Sequence, residues 1–271
     1  MGGDDDVSSH SEGFVGSGGE ELLARTWEPE GPARAVLLLV HGLGEHTGRY
    51  EHVGDYLAAR GVRVCGYDQR GHGRSGGRTG WISAFDDFLA DLALFHERVR
   101  ATAGGLPLVL LGHSMGGLIV TAYVLDRRPR PDYLVLSSPA IVPIVEEGGR
   151  TIDAATLSHG PAVQEAYLTD PLVLRERVTE DLLLRIFEGV VHVDGRASEI
   201  ALPVLLIHGS SDALCSAEGA RTYLEASSSP DLTVKIYEDG RHEMFNETCK
   251  TEVLADLGAW IEARIAPPMP D

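Results

Sequence analysis

Several things are scarce in this sequence. Three cysteines in 271 residues, Cys65, Cys215 and Cys249, are too few for a disulfide framework. No two are spaced as C-x-x-C, which sets aside a redox pair or a structural zinc site. Positive charge is also short: Lys+Arg 23 against Asp+Glu 41 leaves a formal net charge of −18 at pH 7, and Lys235 and Lys250 are the only lysines. A surface that negative repels nucleic acid and anionic lipid headgroups and favours a neutral or cationic substrate. No apolar run reaches the roughly 18 residues needed to span a bilayer. The start, Met1-Gly2-Gly3-Asp4-Asp5-Asp6, has neither a basic segment nor an apolar one, so no secretory signal is expected and the location expected is cytoplasmic.

What is present is enough apolar residue for a core, 43% of the chain, arranged in an alternating pattern. Residues 1–11 are small, polar and acidic and read as a disordered tail. Glu20 to Trp27 reads as a strand. Ala35 to Val40 is a continuous aliphatic run, the mark of a strand covered on both faces. Helical spacing follows over Tyr50 to Arg60, then a strand over Val62 to Tyr67 and a helix over Phe85 to Thr102. Further strands are expected before Gly112 and over Tyr133 to Ser137, Pro203 to His208 and Thr233 to Tyr237. Helices are expected over Leu118 to Asp126, Ala217 to Ala226 and Glu252 to Arg264. Strands alternating with helices imply an α/β fold, a mostly parallel sheet flanked by helices. Residues 12–138 and 202–266 would form that core. Residues 139–201 break the alternation, with an apolar start, a Glu146-Glu147-Gly148-Gly149 turn and short helical patterns such as Glu180 to Glu188. An insertion of this size reads as a cap over a site.

The organising stretch is Pro107-Leu108-Val109-Leu110-Leu111-Gly112-His113-Ser114-Met115-Gly116-Gly117. A strand stops at Gly112, a helix-like run follows, and Ser114 sits between glycines two residues to either side. This G-x-S-x-G strand–turn–helix pattern is a nucleophile elbow. The serine must occupy a strained backbone at the top of a sharp turn, where flanking side chains would collide.

A serine hydroxyl needs a base to take its proton and an acid to hold that base. In parallel sheets such groups collect beyond the carboxyl ends of the strands. His242, just past the strand at Thr233, is the candidate base. His208 stands in a His-Gly pair that turn structure explains, and His113 should point away from the serine beside it. Asp212, in the turn after the strand at Pro203, is the candidate acid, with Asp194 and Asp239 as competitors. The oxyanion formed on attack needs preset N–H donors. Met115, directly after the serine, would supply one. Leu43 in His41-Gly42-Leu43-Gly44 would supply the other. The run from Asp68 to Gly77 lacks the Gly-Lys-Ser/Thr ending of a phosphate loop and reads as structural.

Taken in order, His41-Gly42-Leu43-Gly44-Glu45-His46, Gly48-Arg49-Tyr50, Asp68 with Arg70-Gly71-His72-Gly73-Arg74-Ser75, and Gly112 to Gly117 resemble the monoacylglycerol lipase and lysophospholipase branch of the α/β-hydrolases. Ala166-Tyr167-Leu168-Thr169-Asp170-Pro171-Leu172 and His242-Glu243 with Asn246-Glu247 extend the likeness over about residues 12 to 264. The resemblance implies an α/β-hydrolase fold, a triad of Ser114, Asp212 and His242, and an oxyanion hole at Leu43 and Met115. It also implies that Glu45, Arg49 and Tyr167 lie near the polar, glycerol end of the pocket. An ion pair between Glu45 and Arg49 that only holds the loop is an open alternative. The stretch from Pro139 to Tyr167 is shorter than the family's, and Leu168 stands where asparagine is frequent. A reduced cap is expected to leave the site more open, to limit contact with a membrane surface, and to favour shorter or more soluble esters.

The function expected is hydrolysis of an acyl ester, a monoacylglycerol or related lysolipid, through an acyl-enzyme, with no metal or organic cofactor. A general carboxylesterase of short or medium chains is the first alternative. An amide hydrolase, a perhydrolase and a non-catalytic ligand-binding protein on the same fold are more remote.

Overall fold

The computed structural model describes residues 9–126, 130–144 and 152–265. The Glu146 to Gly149 turn and the first eight residues of the tail lie outside them. In chain order the elements are β1 (His10–Val15), β2 (Glu21–Trp27), β3 (Ala35–Val40), α1 (Glu51–Ala58), β4 (Val62–Tyr67), α2 (Asp86–Thr102), β5 (Leu108–His113), α3 (Met115–Leu125) and β6 (Tyr133–Ser137). After β6 come α4 (Ala154–Leu157), α5 (Pro161–Thr169) and α6 (Glu180–Val193), and then β7 (Val204–Gly209), α7 (Ala217–Glu225), β8 (Leu232–Tyr237) and α8 (Lys250–Glu262).

The strands form one sheet in the order β1-β2-β4-β3-β5-β6-β7-β8. Six strands, from β4 to β8 across the sheet, pair in parallel, while β1 and β2 add an antiparallel edge. The aliphatic runs are buried because both sheet faces are covered. Along β3, Val36, Leu38 and Val40 enter one apolar cluster and Ala35, Leu37 and Leu39 the other, and β5 and β7 alternate the same way. Each such side chain contributes about 1.5–3 kcal/mol by leaving water, so the central strands are the most firmly held part of the chain. All eleven residues of α3 are buried. A helix apolar all round belongs inside, and this one carries the elbow.

Two expectations need correction. Residues 10 and 11 are not part of a tail: His10 pairs with Thr26 and Ser11 with Arg25 in β1. That strand has no apolar run because it is an edge, with one buried side chain, Phe14, packed against Tyr67 and Phe95. The helix after the elbow begins at Met115 rather than Leu118, since the glycines Gly116 and Gly117 are already helical.

The helices between β6 and β7 are tied to the loops around the serine. His46 Nε2 donates to Asp170 Oδ2 at 2.8 Å, the Leu174 N–H to Gly44 O at 2.8 Å, and the Glu243 N–H to Leu157 O at 2.8 Å. The Asp68 to Gly77 loop is held to the elements beside it, with Asp68 accepting from the Thr47 and Arg74 N–H groups and Arg70 pairing with Asp91. Among the described residues no helix is long and apolar enough to cross a membrane, and no group of three or more His, Cys, Asp or Glu is placed to hold a metal ion.

Candidate active site

Ser114 stands between β5 and α3 with φ 53° and ψ −119°. A non-glycine residue at such a φ is strained, and the surroundings hold it there through lack of room. A Cβ on Gly112 would lie 2.4 Å from Gly116 O, and one on Gly116 would lie 2.1 Å from Val40 O. Gly117 meets Pro139 instead, where a Cβ would sit 2.7 Å from the ring. The turn is closed by the Ser114 N–H donating to Ser137 O and the Ala140 N–H to Ser114 O, both at 3.0 Å.

The loops after β7 and β8 bring the other two groups to this point. His242 Nε2 lies 2.8 Å from Ser114 Oγ, and His242 Nδ1 lies 2.8 Å from Asp212 Oδ2. The carboxylate fixes the tautomer: Nδ1–H donates to it, which leaves Nε2 free to accept the serine proton. Asp212 accepts two more N–H bonds at Oδ1, from Leu214 at 2.8 Å and Cys215 at 3.0 Å. Burial pushes its pKa up, but His242 and the hydrogen bonds from His208 and His242 outweigh that and hold it well below the usual carboxylate range. Burial lowers the His242 pKa, but Asp212 and then Glu243 and Glu45 raise it further, to a net value above the ordinary one. Asp194 and Asp239 do not enter this cluster; Asp239 takes a positive φ of 56° in the turn after β8.

Leu43 lines the chamber around Ser114, and Met115 is the first residue of α3, where backbone N–H groups have no intrahelical acceptor. The Gly42 N–H is already taken by Glu45 Oε1 at 2.6 Å. Glu45 also accepts from the Tyr50 hydroxyl at 2.6 Å and from Arg49 Nη1 at 3.0 Å. Burial raises its pKa, but Arg49 beside it, helped by the Tyr50 hydrogen bond, outweighs this and holds it at about 2. Arg49 donates both Nη atoms to Glu243, at 2.6 and 2.8 Å, and its guanidinium lies 5.5 Å from the centre of the Tyr167 ring. The Tyr167 hydroxyl is pushed by burial, and by Glu243, up to about 12. The ion pair and the pocket position are thus both present: Glu45, Arg49 and Tyr167 line the chamber together.

Two participants were not legible. Glu243 completes the acid–arginine–acid bridge; the sequence carried it only as part of the His242-Glu243 likeness, with no role attached. His113 does not turn away from the site. Its Nδ1–H donates to Ser137 O at 3.1 Å, while its ring lies 5.0 Å from that of His242 and lines the chamber. Burial, with the neighbouring His242, lowers its pKa to about 4, so it is a neutral wall. The site is also less open than its short insertion suggests. Ile152, Leu157 and Tyr167 close round a chamber of about 20 Å³, room for about one water. Beyond Ile152 and Tyr167 lies a groove of about 620 Å³, lined also by Leu168, Pro171 and Leu174 and by the charged Arg175, Glu176 and Arg177.

Comparison with known proteins shows the family. The profile of the serine aminopeptidase S33 family, Hydrolase_4, matches residues 31–151 and 142–249. A monoacylglycerol lipase of Mycolicibacterium smegmatis is 32% identical over 276 residues, 95% of this chain and 98% of that protein. The monoglyceride lipase of Homo sapiens is 30% identical over 93% of this chain and 90% of its own length. The crystal structure of a monoacylglycerol lipase from Paleococcus ferrophilus superposes with a TM-score of 0.80 at 28% identity, covering 89% of this chain and 98% of that one. The chain belongs to the Hydrolase_4 family and is a monoacylglycerol lipase-like α/β-hydrolase.

Proposed function

We propose that this serine ester hydrolase cleaves monoacylglycerols, with Ser114 as nucleophile, His242 as general base and Asp212 as its anchor. The observation that carries the reading is the unbroken pair of 2.8 Å contacts from Ser114 Oγ through His242 to Asp212. Ser114 Oγ attacks the ester carbonyl carbon as His242 Nε2 takes its proton. The N–H groups of Leu43 and Met115 donate to the oxyanion. His242 then returns the proton to the departing glycerol oxygen, leaving the acyl group on Ser114. Water, deprotonated by the same imidazole, attacks the acyl carbon and frees the serine.

The alcohol end of the substrate follows from the charges beside Ser114. Glu45 and Glu243 share one arginine, so this corner carries an excess of one negative charge. Carboxylate oxygens accept hydrogen bonds from neutral hydroxyls and repel an anionic headgroup. A glycerol moiety fits, and Tyr167, protonated through the neutral range, adds a donor. The acyl chain would occupy the groove beyond Ile152 and Tyr167, so residues 139–201 act as a cap and those two side chains must shift to admit an ester. Membrane contact is at most weak: Leu168, Leu184 and Phe187 are exposed on the cap, but the net charge opposes anionic surfaces. Three free cysteines accord with a cytoplasmic setting.

A carboxylesterase for small esters is the second reading, favoured by the 20 Å³ chamber. Hydrolysis of monoacylglycerols and of simple alkyl esters with the same acyl chains separates the two. Higher kcat/KM on the glycerol ester at equal chain length is expected, and equal or better alkyl-ester cleavage selects the carboxylesterase. Ser114→Ala should cost on the order of 10⁴–10⁶ in turnover on either substrate; undiminished turnover would remove both readings.

A further inference from the structure

In the sequence His208-Gly209 reads as turn structure, yet the ring of His208 has a more specific place. It is wholly buried at the end of β7, and a single atom meets two acceptors: Nε2 lies 3.0 Å from Asp212 Oδ2 and 3.1 Å from Cys215 O. Since neither oxygen can donate, Nε2 carries the proton. Nδ1 is buried with no partner among the described residues. The two acceptors therefore fix the ring as an Nε2–H donor, with nothing for Nδ1 to donate to. The oxygen it reaches is the one that receives His242 Nδ1–H. Oδ1 of the same carboxylate is held by the Leu214 and Cys215 N–H groups.

We propose that His208 is a positioning residue, whose Nε2–H fixes the plane of the Asp212 carboxylate and shares Oδ2 with His242, so that it sets both the orientation and the proton affinity of the base. The proposal rests on the triad reading above. Two backbone donors hold one carboxylate oxygen, and without His208 only His242, among the described residues, would hold the other. The Cys215 carbonyl, in the same loop as Asp212, keeps the His208 ring aligned with it. A second donor on Oδ2 also draws charge away from His242. Removing it concentrates that charge on the imidazolium, which is then stabilised and gives up its proton at higher pH. The other groups facing His242 are Glu243, Glu45 and His113, and the Cys215 thiol faces Asp212; substitution of His208 leaves them in place.

The test is the pH profile of kcat and kcat/KM for ester hydrolysis by the full chain, with His208→Leu, His208→Gln and Ser114→Ala in parallel. His208→Leu should move the acid limb of kcat/KM upward by about half a pH unit or more and lower kcat roughly tenfold or more, with KM little changed. His208→Gln, whose amide N–H can reach Oδ2, should bring both back toward wild type. A wild-type limb and kcat in His208→Leu, beside an inactive Ser114→Ala, overturns this proposal alone, and so does a glutamine variant no better than leucine. Turnover undiminished in Ser114→Ala overturns the triad and this proposal with it. Should the leucine variant not fold, ¹⁵N-histidine NMR of the wild-type protein decides. His208 should carry a proton on Nε2 in the folded protein at the pH of the activity assay, and an Nδ1–H tautomer with a bare Nε2 there overturns the proposal.

Discussion

Arg49 is the residue on which most depends outside the reacting groups. It lies, largely shielded from solvent, between two carboxylates, Glu45 and Glu243, and one of these holds the Gly42 N–H of the loop that carries Leu43. Arg49→Met leaves both acids buried without a counter-charge, which should cost about 3–5 kcal/mol. A fall in the urea midpoint corresponding to that loss at unchanged m, alongside weaker hydrolysis, is expected; an unchanged midpoint would mean that the acids are neutral or hydrated. Arg49→Lys keeps the charge but not the two-pronged contact with Glu243, and should fall between. At this scale the sequence was informative where chemistry is local. Ser114, Met115 and the flanking glycines declare one another within six residues. Glu243, His113 and His208 did not, because what each does depends on a partner brought from another strand.

At the scale of elements, the elbow depends on backbone surfaces in contact. A methyl group on Gly116 would strike the carbonyl oxygens of Val40 and His41, at 2.1 and 2.6 Å, so β3 or α3 would have to move. Gly116→Ala should therefore destabilise the protein by about 2 kcal/mol or more and abolish hydrolysis with Ser114 itself untouched. Gly13, in edge strand β1, has nothing within 4 Å of an added Cβ, and Gly13→Ala should stay within about 0.5 kcal/mol of wild type. Denaturant melts of the two side by side check both. Elements with apolar patterns were legible nearly to the residue, such as β3 and β4, since burial on both faces leaves no choice of period. β1 was not, because a polar edge strand is defined by the neighbour it pairs with. The helices α4 and α5 escaped for a related reason: they are short and lean on the loops of the core rather than on the sheet.

For the whole molecule, buried histidines set how stability follows pH. Burial, helped by His41, lowers the pKa of His72 to about 4, and burial with His242 does the same to His113. An unfolded chain takes up these protons near pH 6.5 while the folded one refuses them, so stability falls as pH drops from about 6.5 to 4, by on the order of 3 kcal/mol for each ring. His242, with its pKa raised, works the other way: its contribution is full below the unfolded pKa and is lost as pH rises through the folded one. Asp212, with its pKa depressed, loses its contribution only at pH below the ordinary carboxylate range. Relief of the −18 charge on acidification opposes the fall, but surface repulsion is screened beyond about 8 Å at physiological salt. The urea midpoint should therefore be lower at pH 5 than at pH 7.5; an equal or higher one at pH 5 would show that surface charge dominates. A mostly parallel sheet and the site's place beyond the strand ends were legible from the alternation, whereas the strand order and the closure of the chamber by Ile152, Leu157 and Tyr167 were not, since nothing in a sequence gives which strands become neighbours or the distance between an insertion and the strands it covers.

The most direct measurement is covalent. An alkyl fluorophosphonate reacts with a serine hydroxyl that a neighbouring base has activated, and mass spectrometry of the digested protein locates the adduct. A single adduct on the peptide containing Ser114 is expected, formed at least about a hundredfold more slowly in His242→Ala. An adduct on another residue, or labelling of Ser114 at the same rate without His242, would contradict the account.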